Sequence, residues 1–336
     1  VSLVFSLIAI VASAHLCGWL CEKAGQPALF GHMLAGLLWG PFALDAIPAV
    51  GALGRASDIS VLVVVTSAGL GMRLSEVRDV FRGAGVLALL PAFLVPAAAG
   101  VLFAWAAGQP LRAAIVVGLC VSVTALPVAL RILDRAGMLR TRIAAVAISS
   151  ALLGDIAVLL ALIVAGAGGA VGVPYPVVLF VVALALSDAV ERSAWVRRLR
   201  DGLAVVTSAL FAPYFLAYQS LQLAPDGLPG TGFIAALIVL ATLTKLLGGY
   251  ATGLASGLDR RDAMGVAVVM NARGLMEMVI ANIAFRAGLV TAPVFAALLV
   301  MGAVTTMITP PLLTWWQRKA DATRAGARER DPARER

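Results

Sequence analysis

Residues 119–161 read LCVSVTALPVALRILDRAGMLRTRIAAVAISSALLGDIAVLLA, an apolar stretch that carries Asp155 deep inside it. A carboxylate at the middle of a membrane helix costs roughly 2.5 to 3.5 kcal/mol on insertion scales, so a chain that keeps one there uses it. What surrounds the stretch decides that a membrane is involved. Of the 336 residues, 61% are hydrophobic and 13% charged, with a mean hydropathy of +0.97, beyond the range of a soluble domain. Apolar runs recur along the whole length, and a spanning helix takes about 20 residues, so the expectation is one polytopic all-α membrane domain.

Eleven spans are expected, at 1–21, 28–44, 57–72, 84–107, 113–134, 142–166, 174–188, 203–222, 231–255, 263–285 and 291–316. The first contains Ala-Ser-Ala but has no basic leading region and flows on to Cys21, which makes it a span rather than a cleaved leader. The chain opens on Val1, as an alternative start codon or a shortened copy would. Cytoplasmic loops retain Lys and Arg. With the N-terminus outside, the inner loops hold Lys23; Arg73, Arg78 and Arg82; Arg135, Arg140 and Arg142; Arg192, Arg197, Arg198 and Arg200; and Arg260 and Arg261. The arginine-rich tail joins them, against Arg55, Arg112 and Arg286 outside. The expected topology is therefore N-out and C-in across the cytoplasmic membrane, with a transmembrane domain over 1–316. A charged tail over 317–336 has too few apolar residues to order itself.

The net charge of +8 would suggest nucleic acid on a soluble module with one basic face. Here the basic residues sit between apolar runs, so the partner is the lipid bilayer and no nucleic acid is expected. Cys17, Cys21 and Cys120 lie within apolar runs and offer neither a disulfide framework nor a metal-ligand set. No cofactor or metal is expected. There is neither a Gly-rich phosphate loop ending in Lys-Ser/Thr nor an H-E-x-x-H, and nothing else points to an enzyme.

An internal echo links the fifth and tenth spans, which end in Arg135-Ala-Gly137 and Arg286-Ala-Gly288. They are five helices apart, an odd offset that sets two copies in opposite orientations, the inverted repeat of secondary transporters. Both spans are interrupted: Thr124-Ala-Leu-Pro127 removes a backbone donor in one, and Asn271-Ala-Arg-Gly274 puts polar groups and a glycine in the other. Interrupted helices at matching positions point to a substrate site at the midplane.

Four ionisable groups lie at that depth: Asp155, Lys245, Arg273 and Glu277. Such groups must face protein or water. Arg273 and Glu277, four apart on one face, read either as a structural ion pair of the broken helix or as substrate contacts. Lys245 reads either as a packing counter-ion or as a coupling group, and Asp155 either as its neutraliser or as an ion carrier. The carboxylate oxygens that hold a proton are the ones that would ligate an alkali cation. The two therefore compete, and competition with alternating access suffices for exchange. Ser122, Thr124 and carbonyls freed at the breaks would supply further oxygens. His15 and His32 read as packing residues, and the Gly36/Gly40 and Gly249/Gly253/Gly257 spacings as close helix packing.

Taken together, SVTALPVALRILDRAGMLRT, ISSALLGDIAVLLAL, TLTKLLGGYATGL, VVMNARGLMEMVIANIAFRAGLV and FAALLVMGAVTTMITPPLL resemble the monovalent cation:proton antiporter-2 family. That family lies in the sodium/proton exchanger superfamily with Kef-type proteins and plant cation/H+ exchangers. GQPALFGHMLAGLLWGPFAL and LFAPYFLAYQSL resemble its second span and its F-x-P-x-F-F helix, so the likeness runs to about Thr314. It implies two crossed broken helices, 113–134 and 263–285, moving against a dimerisation domain, and hence a homodimer. It also implies Asp155 as carrier of cation and proton, Thr124 in the first unwound segment, and Lys245, Asn271, Arg273 and Glu277 around the core. Two departures stand out. Gly154 occupies the place before the carrier acid where the family has Asp, Asn or Gln, which favours electroneutral exchange. Two spans, not four, separate the helices of Asp155 and Lys245. The reading is a Na+ or K+ antiporter. The alternative is a shortened, transport-inactive relative serving as sensor or assembly partner. A sodium-coupled carrier of organic anions is disfavoured, because no cationic cluster beyond Arg273 and Lys245 awaits a carboxylate.

Overall fold

The computed structural model describes residues 3–49, 51–72, 86–167, 175–191 and 193–330. Val1, the arginines Arg73, Arg78 and Arg82, and Arg192, Arg334 and Arg336 lie outside the described residues. Every regular element described is helical, and the elements line up as the eleven expected rods. They are α1 (Leu3–Lys23), α2 (Ala28–Trp39), α3 (Ala52–Gly71), the short α4 (Val86–Leu89) leading into α5 (Pro91–Ala106), and α6 (Leu111–Ser122) with α7 (Leu126–Arg135). Then come α8 (Arg142–Ala167), α9 (Tyr175–Glu191), α10 (Ala194–Val206), a π-helical turn Thr207–Phe211, and α11 (Ala212–Leu221). The chain ends with α12 (Thr231–Ala255), α13 (Arg260–Met270), α14 (Leu275–Arg286) and α15 (Ala292–Arg330). Five rods, over 3–23, 52–71, 194–221, 231–255 and 292–319, are by themselves long and apolar enough to cross a membrane. The pair α13–α14, bent by 47°, makes a sixth.

Three boundaries differ from expectation for local reasons. The second rod stops at Trp39 because Gly40 is extended and Pro41 follows. Residues 194–202, read as loop, are helix continuous with the eighth rod, since Ala, Leu and Arg favour helix even where charged. For the same reason α15 runs on to Arg330, past the expected end of the last span at 316.

The R-A-G echo corresponds to a shared helix stop. Gly137 and Gly288 have φ of 66° and 67°. The next residues, Met138 and Leu289, donate their N–H to Leu133 and Ala284 at 2.8 and 2.9 Å, closing each helix with a left-handed glycine. The same stop closes α1 at Gly25 and α12 at Gly257. The glycine of the echo is thus ordinary helix grammar, whereas its arginine is not.

The rods sort into two packed bundles. In one, α1 lies on α2, α2 on α11, and α3 on α9 and α11; in the other, α5 lies on α6 and α12, α12 on α13 and α15, and α8 on α7 and α13. The first, here the scaffold, has its own core around Ile10, Ala35, Leu53, Tyr214 and Ala217. Small residues set the spacing within each bundle. A Cβ on Gly36 would lie 1.9 Å from the Ala217 carbonyl oxygen, and one on Gly249 would lie 2.7 Å from the Ala267 Cα, so these backbones touch. Gly36→Ala is therefore expected to push α2 off α11 and lower stability by about 1–3 kcal/mol. A thermal shift in detergent reads this directly, and an unchanged midpoint would contradict the contact.

Candidate ion site at two broken helices

The site grows out of what a broken helix leaves behind. When α6 stops at Ser122, its last carbonyls lose their intrahelical donors, and the negative end of the helix is stranded in the interior. Two cations from other rods cap it. Arg273, from the second break, donates through Nη2 to the Val121 oxygen at 2.6 Å, and through Nη1 to the Cys120 oxygen and, at 3.5 Å, to the Val123 oxygen. Lys245, from α12, donates to the Ser122 oxygen and, at 3.1 Å, to the Ala92 oxygen at the start of α5. Both side chains are fully buried.

The breaks also hold each other. Ala125 N–H donates to the Ala272 oxygen at 3.0 Å, and Thr124 Oγ1 donates to the Met270 oxygen at 3.1 Å. A Cβ on Gly274 would lie 2.6 Å from the Ala125 Cβ, so a glycine is what lets the two segments meet. Pro127 sits in the first turn of α7, where its missing N–H costs nothing. From α15, Thr306 donates to the Arg273 oxygen at 3.0 Å, while Asn271 Nδ2 donates to Thr309 Oγ1 at 3.2 Å and to the Thr305 oxygen at 3.4 Å.

Around this capped junction lie oxygens with no donor. Asp155, 3% exposed on α8, has an Oδ1 without a hydrogen-bond partner. Its charge interacts with that of Lys245, yet no basic nitrogen among the described residues comes within 4.0 Å of it. Glu277 has two oxygens without donors, its carboxylate 4.0 Å from Arg273 Nη1. The expected Arg273–Glu277 pair is thus a loose one: the guanidinium spends its hydrogen bonds on α6 and offers Glu277 its charge alone. Ser122 turns its hydroxyl back to the Leu119 oxygen at 2.7 Å and contributes its carbonyl to Lys245. Gly154 faces Phe93, whose Cδ2 would be 3.7 Å from an added Cβ.

Sequence reading missed Ala92 and Phe93 at the start of α5 and the threonines of α15. The T-T-x-x-T pattern at 305–309, with Pro310-Pro311 behind it, was the available signal: three hydroxyls on one stripe of an apolar span.

Two crossed, broken helices capped by buried cations beside a buried carboxylate define a class, the inverted-repeat membrane carriers, which work without chemical turnover. The chain belongs to the sodium/hydrogen exchanger family: the profile described as "Sodium/hydrogen exchanger, transmembrane" matches residues 11–186 and 156–319. It is 24% identical to the Na(+)/H(+)-K(+) antiporter GerN of Bacillus cereus over 369 residues, covering 93% of this chain and 95% of that one. It is also 24% identical to the Na(+)/H(+) antiporter NhaS4 of Synechocystis, covering 92% and 95%. The solved sodium proton antiporter MjNhaP1 of Methanocaldococcus jannaschii superposes with a TM-score of 0.66 at 15% identity, over 94% of this chain and 96% of that one. The family is one of membrane transporters, not enzymes. An alignment of 369 positions exceeds the 336 residues of this chain, so GerN carries segments without counterpart here. The two profile matches overlap over residues 156–186.

Proposed function

We propose that this protein exchanges a monovalent cation, Na+ or K+, for a proton across the cytoplasmic membrane, one for one, with Asp155 as the single carrier. The observation that carries this reading is the Asp155 carboxylate: buried, with an oxygen that has no donor and, among the described residues, no basic nitrogen within 4.0 Å. A group in that condition binds a proton or a cation, and cannot hold both. Glu277 does not compete for the role because Arg273 already offsets its charge. Arg273, Lys245 and Asn271 hold the breaks, and Thr124 and Ser122 contribute oxygens beside them. The bundle of α4–α8 and α12–α15 moves against the scaffold of α1–α3 and α9–α11, giving Asp155 to each face in turn. The protein works as a homodimer with its N-terminus outside and C-terminus in the cytoplasm.

The test uses everted vesicles from cells without antiporters of their own, loaded with a pH-sensitive dye. Dequenching on addition of Na+ or K+ names the ion, and no response to either, with the protein shown to be inserted, would sink the reading. The second reading, a transport-inactive sensor or assembly partner, draws on Gly154 and on the segments present in GerN but lacking here. Gly154→Asp separates the two. The added Cβ meets only ordinary contact with Phe93, so the variant should fold, place a second acid beside the first, and make exchange respond to membrane potential. Exchange still indifferent to potential in that variant would contradict the electroneutral, single-acid account.

A further inference from the structure

The arginines of the two R-A-G copies do the same thing at opposite ends of the molecule. Arg135, the last residue of α7, places Nη2 3.1 Å from Glu22 Oε1 at the end of α1, with Arg131 Nη1 3.6 Å from the same oxygen. Arg286, the last residue of α14, places Nη2 2.9 Å from Asp58 Oδ1 on α3. In each case the arginine ends the second half of a broken helix and the acid belongs to the scaffold. We infer that Arg135–Glu22 and Arg286–Asp58 are a matched pair of latches, positioning residues that close the cleft between the bundles at the inner and outer face respectively. This rests on the alternating-access reading above.

The outer pair stands at a cavity of about 340 Å3 between the bundles, lined by Arg55, Asp58, Tyr218 and Gln222 of the scaffold and by Phe285 and Arg286 of the moving bundle. Behind it the scaffold side is braced. Tyr218 donates to the Ala49 oxygen at 3.0 Å, Gln222 to Gln219 Oε1 at 3.2 Å, and Gln219 to Ser57 Oγ at 3.4 Å. The α3–α11 wall that carries Asp58 is thus braced, while Arg286 travels with the break that carries Arg273. Movement that opens the outer cleft must part Arg286 from Asp58 and leave Arg135 on Glu22; the opposite movement does the reverse. Each latch therefore stabilises the state open at the far face, and the two must be balanced for the cycle to turn.

Ala49, which lines the cavity, reports the outer cleft when replaced by cysteine. Purified A49C protein in lipid nanodiscs is labelled with a charged thiol reagent, and the signal of the chain without A49C is subtracted to remove the native cysteines. Asp58→Asn should speed labelling about two- to fivefold, the range an exposed ion pair can shift a two-state balance. Glu22→Gln, at the far face, should slow it by a similar factor, and the exchanged pair Asp58→Arg with Arg286→Asp should restore the original rate. General loosening would raise labelling in both single variants. Faster or unchanged labelling in Glu22→Gln would therefore overturn the latches. Labelling needs no transport, so opposite shifts in a protein that fails to exchange would keep the latches and remove the antiporter reading. Failed shifts in one whose exchange depends on Asp155 would do the converse.

Discussion

Asp155→Asn is expected to reduce cation-driven proton movement to the leak of empty vesicles while leaving the protein folded. The substitution keeps the size of the side chain and replaces one oxygen with an amide, which neither takes up a proton near neutral pH nor carries charge to offset a cation. Since the carboxylate makes no ion pair within 4.0 Å among the described residues, its loss breaks no direct pair, and the thermal midpoint should hold or rise. Burying a neutral amide costs less than burying a charge. Loss of transport with gained stability is the signature of a group kept for function. A marked fall in stability would show instead that Asp155 neutralises Lys245 and holds the bundle together.

Arg273→Met is expected to do the opposite, costing about 3 kcal/mol or more, the usual penalty for removing one partner of a buried charged assembly. The guanidinium reaches two carbonyls of the severed α6 and that of Val123 just past its end, and lies 4.0 Å from Glu277. Methionine fills the space but leaves those acceptors and a buried carboxylate unanswered. Arg273→Lys keeps the charge without the fork and should recover part of the loss. Thermal melts of the three proteins in one detergent order them, wild type above Lys above Met. Equal midpoints would show that the two breaks do not depend on this arginine.

The broken helices were legible because Pro127 and Gly274 are punctuation with a backbone cause. The rods were legible because apolar length is set by the bilayer. Asp155 announced itself by its cost. What Arg273 touches was not legible. Spacing of four pointed to Glu277, and only tertiary structure reveals that helix carbonyls 152 and 153 residues earlier claim the guanidinium first. Which oxygen Ser122 offers was not legible either: its hydroxyl donates to the Leu119 oxygen of its own helix, and its carbonyl accepts from Lys245. The repeated R-A-G illustrates both limits, its glycine readable as a helix stop, its arginine meaningful once Glu22 and Asp58 are placed across from it.

The most direct test of one carboxylate shared by two ligands is proton release on cation binding. Purified protein in weakly buffered detergent solution is titrated with Na+ or K+ while pH and bound cation are followed together. The account predicts one proton released for each cation bound at a pH where the site is protonated, and neither binding nor release in Asp155→Asn. Cation binding without proton release, or release that persists in Asp155→Asn, would contradict it.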